Sequence, residues 1–361
     1  MDMKTDMKIL FITGCDITDV TYGGAVGSKT RYQILKGIAE TDYALIRKKS
    51  NLSSALSILQ RNFPPLLNSD INDLVEMIER NAYDTVVVDA SVYGGLIQRI
   101  KEKLRVKALC LLQNCEYDYI DVRIPRKRVF KKALYKLLVR KSERLSVSMA
   151  DMFICLSERD SNRVKELYGK EADMIIPFAM NSQTVKRNNA KGSYCLLFGP
   201  DSVPNYQGFQ WFVKRVSPFL EIPTLVAGKG MDVHKAEFES EKARVLGYVD
   251  DLGDLYSRAS CVAIPLFDGG GMKIKTAEAL MHGKYIFGTD EAFSGYAFDV
   301  SKVGALCNSA DEFIKRVNEH AAQSANDFNE YAYRYFRENH SSEVASANFQ
   351  IALRRLWNDY H

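Results

Sequence analysis

The sequence predicts an α/β protein made of two doubly wound, Rossmann-like domains with a cleft between them. Three observations carry this. A chain of 361 residues exceeds one ordinary core, because domains usually run ~100–200 residues. Short apolar runs alternate with longer helical stretches almost throughout, the pattern of parallel strands covered on both faces. A polar stretch without periodicity, Asn181–Gly192, separates two such series and reads as a linker.

In the first series, Lys8–Thr13 is followed by a glycine-containing loop and an amphipathic stretch, Lys29–Ala39. Thr85–Asp89 leads into Leu96–Leu104, Ala108–Leu112 is a further run, and Met152–Leu156 precedes the helix-like Glu158–Tyr168. The second series comprises Tyr194–Phe198, Thr224–Ala227, Arg244–Leu246, Cys261–Leu266 and Tyr285–Gly288. A last stretch, Ser342–Asp359, has helical spacing in Val344, Ala347, Phe349, Ala352, Leu353 and Leu356. The expected organisation is a first domain over 1–180, a second domain over 181–340, and a helix over 341–361 packing back on the first.

Composition narrows the class. With 46% hydrophobic and 26% charged residues the chain is neither disordered nor fibrous. It contains no run of 18 apolar residues that would span a membrane. The polar start and the short run Ile9–Ile12 do not make a signal peptide. Cys110, Cys155, Cys195 and Cys261 sit in apolar runs, which suits buried thiols in a cytoplasmic protein.

The net charge of +4 is unevenly spread. Arg123–Arg144 holds ten basic residues and one acid, Glu143, so this segment carries +9 and the remainder −5. Phe130, Ala133, Leu134, Leu137 and Leu138 fall on one helical face, with Arg128, Lys131, Lys132, Lys136 and Arg140 around the rest. The expectation is a helix whose apolar face packs inward. Its charges either face solvent or meet an anionic membrane surface, which places the protein at the inner face of the cell membrane. Nucleic acid is disfavoured, because no reading module or aromatic platform accompanies the patch.

Ligands of doubly wound sheets bind beyond the carboxyl ends of the strands. The strongest signal there is Phe267–Leu280, FDGGGMKIKTAEAL. Consecutive glycines let backbone N–H groups approach a phosphate, and Lys273 and Lys275 stand at a helix start that already favours an anion. Glu278 is a natural acceptor for ribose hydroxyls. The bland alternative is a glycine-rich turn entering a solvated helix.

This segment resembles the signature loop and helix of GT-B glycosyltransferases, within the family 4-like glycosyl transferases group 1. Leu246–Tyr256, Phe198–Phe212, Ala150–Asp160 and Leu112–Tyr117 are similar to further motifs of that family, in the same order. The resemblance implies a nucleotide-sugar donor, with Glu278 on the ribose and Lys273 and Lys275 on the diphosphate. It implies Gly270, Gly271 and Met272 beside the diphosphate and sugar, and Val249 near the base. Gly23 and Gly24, in YGGA, correspond to a glycine-rich loop next to the transferred sugar, unless they only make a tight turn. Asn114 and Glu116 belong to the acceptor side, and the acceptor is a glycan or a lipid-linked glycan in polysaccharide or glycoconjugate synthesis.

The departures matter too. Position 270 is glycine where relatives carry the first of two glutamates, and Pro200–Gly208 lacks the usual Arg and Lys. Lys229, within AGKG, then shares the phosphate charge. Gln113 replaces a histidine, and residues 1–233 contain none, so inversion would need a carboxylate such as Asp16, Asp19, Glu116 or Asp118. The resemblance favours retention. Of the carboxylates, Glu116 and Asp16 are the catalytic candidates, each with a capping or solvated role as the alternative. No Asp-x-Asp or zinc spacing occurs, so no metal and no further cofactor is expected. The other function class left open is a catalytically inactive, glycosyltransferase-like partner or glycan-binding subunit.

Overall fold

The computed structural model describes residues 5–18, 23–47, 50–60, 62–63, 66–124, 127–183, 185–186, 193–323 and 328–358. The chain divides into two compact units. One comprises Met1–Phe178 with Ala345–His361, and the other Ala179–Val344. Most of the linker stretch, together with Asp19 and Tyr22, lies outside the described residues.

The first unit begins with β1 (Thr5–Thr13), α1 (Gly23–Ile38), β2 (Ala39–Leu45), α2 (Asn51–Leu59) and α3 (Asn68–Arg80). It continues through β3 (Thr85–Val88), α4 (Gly94–Lys103), β4 (Lys107–Leu112), α5 (Glu116–Arg123) and α6 (Val129–Met149). β5 (Met152–Cys155), α7 (Glu158–Tyr168) and β6 (Met174–Ile175) complete it. All pairings are parallel, in the order β2-β1-β3-β4-β5-β6.

The second unit opens with β7 (Tyr194–Phe198), α8 (Val203–Arg215), β8 (Thr224–Ala227), α9 (Lys235–Phe238) and β9 (Ala243–Gly247). Next come α10 (Leu252–Arg258), β10 (Ala259–Ile264), α11 (Ile274–Met281), β11 (Tyr285–Gly288), α12 (Asp290–Phe293) and α13 (Val300–Val303). β12 (Gly304–Leu306), α14 (Ala310–Gln323) and α15 (Glu330–Asn339) follow. This sheet is also parallel, in the order β12-β11-β10-β7-β8-β9.

Central strands such as β3, β5 and β10 are buried along their whole length, as the continuous apolar runs require. In each sheet the strand order reverses beside the first strand, between β1 and β3 and between β7 and β10. These are the switch points at which a doubly wound sheet opens a crevice.

Three expectations need correcting. Gly23 and Gly24 form the first turn of α1, not a loop ahead of a helix at Lys29. The basic helix α6 buries Leu138, Val139, Ser142, Glu143, Ser146 and Val147. Its first half therefore leaves the predicted inward face outside: Phe130, Leu134 and Leu137 are exposed. The buried residues belong to the later turns, where small serines allow close packing on α4. Thirdly, the last helix, α16 (Ser342–Asn358), turns Ala345, Phe349, Ala352, Leu353 and Leu356 inward, while Ala347 is exposed. Its Trp357 donates to the Thr85 hydroxyl at 3.3 Å.

Candidate active site

Thr13 ends β1 and Asp89 directly follows β3, so the two meet at the first unit's switch point. The buried Asp89 carboxylate accepts from Ser28 Oγ at 2.5 Å, Thr13 Oγ1 at 3.2 Å and Gln113 Nε2 at 2.9 Å. Arg31, itself buried on α1, donates to it through Nε at 2.8 Å and Nη2 at 3.2 Å. A buried charge pair is tolerable when its remaining hydrogen-bonding capacity is filled, as here. Gln113 thus acts as an amide clamp between β4 and β3, also donating to the Asp89 carbonyl at 2.9 Å.

The next loop carries Glu116, the first residue of α5. The backbone N–H groups of Glu116 and Tyr117 donate to the Glu143 carboxylate at 3.0 and 3.2 Å. Ser91 Oγ and the Tyr168 hydroxyl also donate to it, each at 2.8 Å. A carboxylate at an open helix N-terminus satisfies orphan donors and meets the positive end of the dipole. Burial nonetheless pushes Glu143 above the usual carboxylate range. Burial, and then the neighbouring Glu143 charge, push Glu116 up to about 7, against opposing effects of Arg123 and a hydrogen bond from Asn114.

Glu116 can therefore exchange a proton at neutral pH. The other candidate acids are differently placed. Asp16 accepts from the Thr18 N–H at 2.9 Å and its hydroxyl at 2.6 Å, a turn-forming arrangement. Asp118 is held by Arg163 at 2.7 Å.

In the second unit, the loops after β7, β8, β9 and β10 gather at the strand ends. A Cβ on Gly228 would lie 1.8 Å from the Gly199 carbonyl oxygen, so the loops after β7 and β8 touch backbone to backbone. Lys229 is exposed on this loop, and Val249, after β9, is half-buried. Across the switch point, Lys275 Nζ donates to Asn205 Oδ1 at 2.6 Å and lies 5.1 Å from the centre of the Phe209 ring. Burial lowers Lys275 to about 7, partly opposed by the Glu278 charge. Burial raises Glu278 to about 7, partly opposed by Lys275. Each holds the other near the point of proton exchange.

Lys273 caps α11 with extended backbone. Its ammonium donates to Glu291 Oε1 at 2.5 Å and to the Gly271 and Gly270 carbonyls at 2.7 and 3.2 Å. The half-buried Met272 lies between them. The structure thus brings Lys273, Lys275, Glu278, Gly270, Gly271 and Met272 together on one loop and one helix turn.

Of the basic residues on α6, Arg128, Lys131 and Arg140 are exposed. Lys132 and Lys136 instead bind Asp121 at 2.7 and 2.6 Å, so these two are not free headgroup contacts. Sequence reasoning missed Ser28, Arg31, Asp89, Glu143, Asn205 and Glu291. Two had a readable signal: Asp89 closes an apolar run, and Glu143 is the one acid in the basic segment.

Two parallel, doubly wound units with loops assembled at their switch points define the GT-B class of architecture. Residues 193–323 match the family model described as Glycosyl transferases group 1. That match lies within the second unit, and the fold of the chain is of the GT-B type.

Sucrose-phosphate synthase from Thermosynechococcus elongatus is similar in fold, with a TM-score of 0.76 at 12% identity, over 98% of this chain and 100% of that one. Anabaena HepE in complex with UDP and glucose gives a TM-score of 0.67 at 12% identity, over 97% and 100%. The lipopolysaccharide outer core galactosyltransferase WaaB gives 0.66 at 12% identity, over 97% and 99%. At this identity the likeness establishes the fold. No curated protein matches the chain.

Proposed function

We propose that this protein transfers a sugar from a nucleotide-sugar donor to a glycan or lipid-linked acceptor, with retention and without an essential metal. The observation that carries the reading is the group at the β7/β10 switch point, with Lys273, Lys275 and Glu278 on the first turns of α11 inside the group 1 domain. Glu278 would accept from the ribose hydroxyls. Lys275 would take up a proton as a diphosphate approaches, and Lys273 would exchange its Glu291 partner for phosphate oxygens. Preorganised cations of this kind stabilise a departing nucleoside diphosphate. Among the described residues no group of three His, Cys, Asp or Glu could hold a metal ion.

In the first unit Glu116 faces the acceptor side, oriented by Glu143 and Asn114. Under retention its place is to bind and orient the acceptor hydroxyl, while the donor phosphate takes the proton. HepE binds UDP and glucose, which makes uridine donors the first to try. The test is release of nucleoside diphosphate from a panel of nucleotide sugars by the purified full chain. Slow hydrolysis of at least one donor, lost in Glu278→Ala, is expected. Absence of turnover with every donor, alongside intact glycan binding, would favour the non-catalytic partner instead.

A further inference from the structure

Two helices of the first unit each turn a regular apolar stripe to solvent. On α6, Phe130, Leu134 and Leu137 follow i, i+4, i+7 spacing, with Phe130 93% and Leu137 71% exposed. On α2, Leu52, Leu56 and Leu59 repeat that spacing, with Leu52 81% and Leu59 79% exposed. Phe63, just beyond α2, packs edge-on against Tyr135 of α6 with ring centres 6.1 Å apart, which links the two elements. Scattered exposed leucines are ordinary, but two stripes of the same spacing, on elements joined through the Phe63–Tyr135 contact, mark an interaction surface.

Cations surround the α6 stripe. Lys127, Arg128, Lys131 and Arg140 are all exposed. We propose that α2 and the first half of α6 together dock on an anionic lipid bilayer, with the apolar stripes entering the acyl boundary and the basic side chains lying at the headgroups.

Charge selects this occupant. A second copy of the chain would bring two segments of +9 together, and a purely apolar partner would leave the cations without counter-charge. An anionic bilayer meets both features of the surface. Among the described residues no helix is long and apolar enough to cross a membrane. Asp121, by holding Lys132 and Lys136, keeps two further cations in reserve. The inference rests on this surface alone and does not depend on the transferase reading.

The test is co-sedimentation of the full chain with vesicles of equal parts phosphatidylcholine and phosphatidylglycerol, against phosphatidylcholine alone. Binding to the anionic vesicles that weakens as salt rises is expected. Phe130→Ser with Leu137→Ser, and separately Leu52→Ser with Leu59→Ser, should each lower partitioning by at least about tenfold. Their melting temperatures should stay at the wild-type value, because the changed side chains face solvent. Asp121→Ala should raise partitioning by roughly fivefold, since one counter-charge near the surface is removed.

Equal binding to both vesicle types would overturn the proposal, as would serine variants that partition like wild type. A concentration-dependent dimer dissolved by the same serine changes, without vesicle binding, would assign the surface to a second copy.

Discussion

Glu116 and Glu278 are both pushed up to about 7 by burial, and the direction fixes how stability depends on pH. A carboxyl whose folded value lies above its unfolded one binds more protons when folded, so it contributes stability at low pH. That contribution is lost as pH rises from about 4.5 toward 7. Melting temperature should therefore decline over this window, and the decline should shrink in a Glu116→Gln, Glu278→Gln double variant. Lys275 has the opposite sign. Its folded value is lowered to about 7, so its contribution is present at high pH and lost as pH falls toward 7. A diphosphate would restore its proton. Calorimetry in buffers of different ionisation enthalpy should register proton uptake on nucleotide binding above neutrality, and a Lys275→Met variant should lose that signal.

Glu143 belongs to the residue scale as well. Four donors converge on its carboxylate, so Glu143→Ala should cost about 2–4 kcal/mol by leaving several of them unsatisfied. Chemical denaturation would measure this. None of these pairings was legible from sequence. Glu143 meets α5 from 27 positions away, and Asp89 meets Arg31 from 58; a single chain without its fold does not say which polar residues converge.

At the scale of elements, the glycine loop and α11 were legible because their chemistry is local. Close backbone approach and a helix start need glycines and cations within a dozen residues. The loops after β7 and β8 were not, since their contact depends on two glycines 29 residues apart packing backbone to backbone. Gly228→Ala should therefore displace the loop after β7, which leads into the first turn of α8 and Asn205, and destabilise the second unit by about 1–3 kcal/mol through overpacking. Its nucleotide affinity should fall together with its melting temperature. The basic helix shows the opposite limit. Periodicity located an apolar face in its first half, but burial depends on what lies opposite, and the buried residues lie in the later turns, where Ser142 of α6 meets Gly94 of α4. Periodicity identifies a face without saying what covers it.

For the whole molecule, alternation of short apolar runs with helices was enough to give two doubly wound sheets. The strands it passed over are the edge strands β2, β6 and β12, which are short or partly polar because one side of each lies open. The architecture also sets what a ligand can do to stability. A nucleotide bound only by the folded second unit, at a hundred times its dissociation constant, stabilises that unit by about 2.7 kcal/mol. The matching rise in melting temperature should vanish when the site lysines are removed.

The central claim is that the β7/β10 switch point binds a nucleoside diphosphate through Lys273, Lys275 and Glu278. Isothermal titration of the full chain with uridine, adenosine and guanosine diphosphates, beside Lys273→Ala and Glu278→Ala, tests it most directly. Saturable binding of at least one nucleotide is expected, weakened about tenfold or more in each variant by loss of a charge-assisted contact. Wild-type affinity retained in both variants, or no binding of any nucleotide by the native chain, would contradict it.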